Sequence, residues 1–462
     1  MTKGILIKDK KFYSLFWMLA LPLTLQQLLL ISVDALNTLM LGQFSEIEMT
    51  AVSQASQVFF VFSVICYGFA SACCIIVSQY YGKKDTESIK TIIALTVRLN
   101  ALFGLVVSTA VFIFPTAFMS LYSRDPRVIA LGALYLRVVA LMYMPFAVST
   151  SLFYACRGVE ETKIVIISNS ITYSINIILN YIFIFGFMGA PKLGVLGAAI
   201  GTVISRYIEF AIMCVYMLRI ERHVKFCLSD LTRRNAVLRK DYLVTLRPVL
   251  GHEVIWSFGM TMPQAFMGQL GTAASAAFNT VYVFFELLTA VLNGMGGAAT
   301  VAIGKAVGED RMDVVKKESY TILLMATLMG AAGAICMLVG FGGFLSFFRG
   351  LSGRTVQYAL GMAPVMAMVT FFSGWEVVGL VGILRGGGDA RTGFRTDCVA
   401  MWLIAIPLGA LATFYFKLSP IVVIALLKVD MPIKATVGLI RVLRMHWVTN
   451  ITRDFNTKPA ND

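Results

Sequence analysis

Residues Arg247–Gly259 read RPVLGHEVIWSFG. A basic, polar segment ends there, Pro248 marks the change, and a long apolar run begins with a carboxylate, Glu253, in its first turns. Trp256 and Phe258 stand close by, and no basic side chain follows within the same run. Charge at membrane depth is costly, so an acid in this position is a functional-site candidate. Everything around the stretch is consistent with a membrane setting.

Only 14% of the 462 residues are charged, 58% are hydrophobic, and the mean hydropathy is +0.79. Soluble globular chains carry about 25% charged residues. The sequence therefore specifies an all-α polytopic membrane protein. Twelve apolar runs are expected as spans, at about 13–41, 50–79, 91–118, 128–155, 164–188, 193–218, 249–270, 276–303, 319–348, 356–384, 396–416 and 419–441. Each can cross a hydrocarbon core of roughly 30 Å as a helix, which satisfies its own backbone in lipid.

The net charge of +14 does not point to nucleic acid, because the basic residues sit in short connectors between apolar runs. Twenty-eight Lys and Arg residues fall on one set of connections and six on the alternate set. That bias places both termini and the 219–247 segment on the cytoplasmic side. The eight cysteines are scattered, with neither a disulfide nor a zinc spacing, and read as small buried hydrophobes. The chain has three histidines, no HExxH, no nucleophile with a partner base and no nucleotide motif. RGGGD at 385–389 lacks the preceding strand and the Lys-Ser/Thr of a P-loop, and reads as a cytoplasmic turn. We expect no enzyme activity and no cofactor, with energy drawn from an ion gradient.

The two halves are a tandem repeat. Pro22 and Pro248, Gly42 and Gly268, and Gly82 and Gly308 all lie 226 residues apart, and Arg157-Gly158 precedes Arg385-Gly386 by 228. Six spans per repeat is an even number, so the repeats are parallel and related by an axis along the membrane normal, with a substrate site expected between them. The expected organisation is an N-lobe at 1–218, a basic cytoplasmic linker at 219–247, a C-lobe at 248–445 and a cytoplasmic tail at 446–462.

Several segments carry a family resemblance. They are NTLMLGQF at 37–44, YACRGVEETK leading into NIILNYIFIFG at 176–186, and GVLGAAIGTVISR at 194–206. HEVIWSFG, MGQLGTAASAA, VGILRGGGDARTGF and WLIAIPLGAL continue the pattern in the second half. In this order and spacing they resemble the multidrug and toxic compound extrusion (MATE) family over about residues 15–453. The resemblance implies two six-helix lobes around an inner cleft, and antiport of small organic cations against Na+ or H+ across the cell (inner) membrane. The expected assembly is a monomer in the lipid bilayer.

Glu253 is the first candidate for coupling. Members of the family often carry an Asn-Glu pair before a tryptophan in the seventh span, and here the pair is His252-Glu253. Its repeat counterpart is Gln27, so no symmetric structural role demands an acid there. Such an acid can carry a proton or bind a cation; the alternative is an interfacial Glu paired with Arg247. Glu286 and Glu376 also lie within apolar runs and are expected to join Glu253 in a C-lobe carboxylate cluster, with pairing to Lys428 or Lys434 as the competing role.

In the N-lobe, Asp34 and Asn37 are i and i+3 on one helix face, an order reversed from the family's Asn-x-x-Asp-Thr pattern. Asn176 and Asn180 share a face of the fifth span. The resemblance places them with Thr202 around an N-lobe cation site, so that Na+ would be held by Asp34, Asn176, Asn180 and Thr202, or a proton by Asp34. Interhelical hydrogen bonding is the other role open to the two Asn residues. Arg206 with Glu209, and Asp430 with Lys434, are spaced as structural ion pairs.

Other readings of the sequence are a flippase for a lipid-linked precursor and a sugar-type transporter. The first calls for basic residues in the cleft, whereas the lone intramembrane charges read as largely acidic. The second calls for Gly-x-x-x-Asp-Arg-x-Gly after the second span, where this chain has GKKDTES. A receptor or scaffold needs no such duplication.

Overall fold

The computed structural model describes residues 6–42, 46–189, 191–348 and 350–453, without the side chains of 34, 35, 37–39, 41, 42 and 46. Its N-lobe helices are α1 (Lys10–Gly42), α2 (Glu46–Gly82), α3 (Thr86–Ile113), α4 (Pro126–Gly158), α5 (Lys163–Phe185) and α6 (Val195–Ile220). The C-lobe has α7 (Ala236–Gln269), α8 (Thr272–Gly308), α9 (Met312–Leu345), α10 (Gly353–Gly386) and α11 (Ala390–Tyr415). The last span, α12, comes in two pieces, Pro420–Leu427 and Asp430–Arg444.

Ten of these helices are long and apolar enough to cross a membrane by length and composition. The other two, α7 and α12, occupy the remaining expected spans and carry more charge. Outward-facing apolar side chains such as Val339 (80% exposed) need lipid around them.

Two boundaries differ from expectation. Pro248 does not open the seventh helix: α7 begins at Ala236, capped by Asn235, whose side chain accepts from the Val237 N–H at 2.9 Å. Leu238, Tyr242 and Leu246 bury this first part of α7 against the N-lobe, and that packing carries the helix straight through the proline. Residues 446–453, expected within a tail, instead form a strap. Trp447 is fully buried, Thr449 N–H donates to Gly387 O (2.7 Å), and Ile451 N–H donates to Gln79 Oε1 (2.8 Å). Arg453 closes it with two bonds to Asp241 at 2.6 and 2.8 Å.

The lobes meet along a seam that repeats the twofold relationship of the sequence. A Cβ on Gly82 would overlap the Lys305 carbonyl, and one on Gly308 would overlap the Gln79 carbonyl. The 226-residue offset that carries Gly82 to Gly308 also carries Gln79 to Lys305. The same offset relates Gly68 against Leu250 to Gly294 against Thr24. Only glycine lets the helices approach this closely at such crossings. The Glu160–Lys305 ion pair (2.7 Å) also spans the seam.

The apolar cores divide differently at the two ends of the helices. At the end carrying the linker and strap, Phe16, Leu19, Ala20 and Cys74 share one core with Met295, Ala298 and Ile383. At the other end each lobe has its own core, with Val58, Phe62, Tyr143 and Ile184 in the N-lobe and Phe278, Phe285, Phe341 and Ile424 in the C-lobe.

Candidate functional site

Consecutive residues of α7 face different surroundings. Glu253 points into the seam, where Arg385 Nη1 donates to its Oε1 at 2.8 Å and reaches Ser71 Oγ of the N-lobe at 3.5 Å. Tyr154 lies beside both charges. The expected partner Arg247 is not the one used. Arg385 is the first residue of the Gly-rich turn, yet it is only 5% exposed. The glycines after it do turn the chain, with Gly388 N–H donating to Arg385 O at 3.0 Å, but the leading arginine belongs to the seam.

His252 points the other way, into the C-lobe, where its Nδ1 lies 2.8 Å from Asp397 Oδ2. Lys434 Nζ lies 2.8 Å from Asp397 Oδ1 and 3.0 Å from Asp430 Oδ2. Glu376 and Lys428 lie within electrostatic reach of the same group, and all six side chains are buried. The backbone loosens where these charges gather. Glu376 sits in a π-helical stretch of α10 (Gly374–Ile383), Asp397 opens another in α11 (Asp397–Ala405), and Lys428 stands at the break in α12. Such wide turns free carbonyl and N–H groups from the regular ladder and often mark functional sites.

The expected cluster of Glu253, Glu286 and Glu376 is therefore divided. Glu253 answers to Arg385 in the seam and Glu376 to the lysines of the C-lobe centre, while Glu286 is half-buried on α8 beside the Tyr282 hydroxyl. The intramembrane charges are also not largely acidic. Arg206 bonds Glu209 at 2.6 Å, Arg385 bonds Glu253, and Lys434 is ion-paired with two aspartates. Burying an acid in lipid calls for a base, and in two of these four pairs, Arg385–Glu253 and Lys434–Asp397, the base comes from another helix.

In the N-lobe, α5 and α6 bring three expected residues together. Asn180 Nδ2 donates to Asn176 Oδ1 (3.2 Å), and Asn176 Nδ2 donates to Thr202 Oγ1 (3.4 Å). A Cβ at Gly201 would overlap Asn180 Oδ1, so the close approach of the two helices depends on that glycine. Amide and hydroxyl oxygens suit a hard cation such as Na+. Asp34 and Asn37 lie on α1, but their side chains are outside the described residues. Among the described residues, no group of three or more His, Cys, Asp or Glu side chains is arranged to hold a metal ion.

Sequence reasoning passed over Arg385 as a site residue, and Asp397 altogether. A signal was available for Asp397: at the 228-residue offset its counterpart is Asn169, and at 226 that of His252 is Gln26. Two neutral residues of the first repeat thus become ionisable ones in the second. Of the cysteines, Cys66, Cys73, Cys74 and Cys156 are buried as expected, whereas Cys227 and Cys336 are exposed.

Known proteins resemble this chain over most of its length. It is 25% identical to a probable multidrug resistance protein, YoeA, of Bacillus subtilis, with 90% of each chain covered. It is 24% identical to the multidrug resistance protein MdtK of Yersinia enterocolitica over 85% of this chain and 86% of that one. Among solved structures, a MATE protein in complex with MaL6 superposes with a TM-score of 0.85 at 16% identity, covering 96% of this chain and 99% of the other. An outward-facing multidrug resistance MATE family transporter gives 0.83 at 15%, covering 93% and 95%. The MatE family profile matches twice, at residues 22–182 and 248–411, once in each half of the repeat, and the chain belongs to the MatE family.

Proposed function

We propose that the protein is a secondary active antiporter that exports amphipathic organic cations in exchange for Na+ or H+, by alternating access of its two lobes. The observation that supports this best is the division of the cores: one shared between the lobes at one end, and separate cores at the other. Two bundles joined in this way can rock about the site between them. With the termini and basic linker in the cytoplasm of an inner-membrane protein, this conformation is sealed toward the cytoplasm.

The names of the relatives support multidrug export as the biological task. Glu253 is the coupling carboxylate of the seam. A proton or an organic cation reaching it competes with Arg385, so loading Glu253 weakens a contact that ties α7 to α10 beside Ser71 of the N-lobe. The oxygens of Asn176, Asn180 and Thr202, with Asp34, form the N-lobe ion site. A flippase for a polyanionic lipid is disfavoured, because the half-buried Arg206 and the buried Arg385 and Lys434 are each matched by an acid, leaving Lys428 as the buried base with no acid at ion-pair distance among the described residues.

In a drug-sensitive host, the protein is expected to lower accumulation of a cationic dye, and Glu253→Gln is expected to abolish this at wild-type surface levels. Unchanged efflux by that variant would remove Glu253 from the mechanism. Dye efflux from proteoliposomes under an imposed Na+ or H+ gradient tests the exchange itself.

A further inference from the structure

The strap covers one side of the seam, and its twofold counterpart is a cavity. Residues 449–453 are held at Gln79, Tyr80, Asp241 and Gly388. Ile451 N–H donates to Gln79 Oε1 (2.8 Å), Arg453 N–H donates to the Tyr80 hydroxyl (3.2 Å), Arg453 pairs with Asp241 (2.6 Å), and a Cβ on Gly388 would overlap the Thr449 carbonyl. The offsets that relate the two halves, 226 residues for the first three and 228 for the last, carry these positions to Lys305, Ala306, Leu15 and Glu160. All four line one cavity, between α1 of the N-lobe and α8 and α9 of the C-lobe. On its own side the strap supplies an apolar side chain, Ile451, packed on Ile75 and Val249, and a cation, Arg453.

The cavity also has an acid, at a different position. Asp241 is answered by Leu15, whereas Ile92, buried in the N-lobe core, is answered by Glu318 of α9, another residue of the lining. The two bases of the lining are already committed. Lys305 Nζ donates to both oxygens of Glu160 (2.9 and 2.7 Å), and Arg311 is ion-paired with Glu309. Glu318 Oε2 is buried and has no hydrogen-bond partner among the described residues. A buried acceptor without a donor bears the whole cost of its desolvation, so this oxygen calls for one. The wall opposite is apolar: Phe12 and Phe16 are stacked with ring centres 6.1 Å apart, and aromatic faces attract cations. Leu15 is exposed at the edge of the cavity, with Met18 exposed one turn further along the same face of α1. A ligand with an apolar body can therefore enter from the bilayer.

We propose that this cavity is a binding site for an ammonium group carried on an apolar body, with Glu318 Oε2 accepting from the ammonium and Leu15, Phe12 and Phe16 covering the body. The ligand takes the place that Ile451 and Arg453 of the strap hold on the other side of the seam. Two sources offer this chemistry: an amphipathic organic cation, which rests on the export reading, and the ethanolamine headgroup of a membrane lipid, which does not.

The test uses the full-length Leu15→Cys variant in phosphatidylcholine nanodiscs. A small maleimide probes the edge of the cavity, and mass spectrometry reads the peptide that carries the introduced thiol. Dansylcadaverine, a primary amine on an aromatic body, is expected to slow labelling about tenfold at a concentration ten times its dissociation constant. Adding Glu318→Gln is expected to return the unprotected rate. The N-acetylated probe, which keeps the body and loses the charge, is expected to give no protection, and it reads the same requirement with Glu318 intact if the double variant does not fold. Ala302→Cys replaces Leu15→Cys as reporter if the latter is unstable. Nanodiscs containing phosphatidylethanolamine separate the sources. Labelling that is slow there before any amine is added, and is restored by Glu318→Gln, assigns the site to the lipid headgroup; protection by dansylcadaverine alone assigns it to organic cations. Labelling indifferent to both compounds, or protection that survives Glu318→Gln or needs no charge on the probe, overturns the proposal. Dye efflux from vesicles keeps the export reading apart. Protection without efflux leaves the site and removes the exporter, and efflux without protection removes the site alone.

Discussion

The two lobes are built on one scaffold and bury different chemistry. Gln26 and Asn169 in the N-lobe correspond to His252 and Asp397 in the C-lobe, and Gln27 corresponds to Glu253. Asn169 is satisfied within its own helix, donating from Nδ2 to Val165 O at 2.9 Å. Asp397 instead draws in a histidine and a lysine from two other helices. The glycine crossings between the lobes, by contrast, keep the symmetry closely, with Gly82 answered by Gly308 and Gly68 by Gly294. Duplication therefore preserved the close glycine crossings between the lobes, while the lobe interiors diverged into a group of amides and hydroxyls on one side and a charged group on the other.

Removing a charge from the C-lobe centre should have the largest effect. Lys434→Met leaves buried carboxylates without their base, and breaking a buried pair from one side costs roughly 3–5 kcal/mol. A clear drop in thermal stability in detergent is expected, partly restored when Asp397→Asn is added. Equal stability of the single variant and the wild type would mean that the charges are solvated.

Next comes the symmetry of the seam. Gly82→Ala and Gly308→Ala each force a methyl group against a backbone carbonyl, and overpacking of this kind costs about 1–3 kcal/mol. The two losses are expected to match within error in the same melting assay. A large difference would show that the seam is symmetric in geometry and not in energy.

The N-lobe can be separated from the C-lobe through its ion. Asp34→Asn is expected to slow ion-driven dye efflux about tenfold, equivalent to ~1.4 kcal/mol, while Asn37→Asp is tolerated. A silent Asp34→Asn would move the N-lobe site elsewhere.

The smallest effect lies outside the membrane, in the linker that joins the lobes. Burial would push the Asp230 carboxyl up, but the Cys227 N–H, Arg233 and Lys90 outweigh it and hold Asp230 below the usual carboxylate range. A carboxylate lowered on folding stabilises the fold above its unfolded value, and this contribution is lost as pH falls through the lower, folded value. Linker amides near 227–233 should therefore exchange hydrogen faster at acid pH than their intrinsic rates explain. Asp230→Asn should remove that dependence.

Much of the fold was legible because lipid imposes length and hydropathy on every span, and because a constant offset between Pro22 and Pro248 or Gly82 and Gly308 survives duplication. The shared face of Asn176 and Asn180 was also within reach, since helical spacing decides it, whereas Thr202 was placed beside them by the family resemblance. The partner of Glu253 was not, because Arg385 lies 132 residues away behind a glycine-rich turn. Continuous α7 escaped for a related reason. Pro248 is a strong local signal, and the tertiary packing of Leu238, Tyr242 and Leu246 that overrides it leaves no local mark.

The strap formed by residues 446–453 also bears on biosynthesis. Its partners Gln79 and Asp241 emerge early, whereas Trp447, Ile451 and Arg453 follow both lobes in the chain. Domains synthesised first can fold before later ones exist. The N-lobe can therefore assemble in the membrane while the seam is still incomplete, and the final lock between the lobes forms only after the C-lobe has been made.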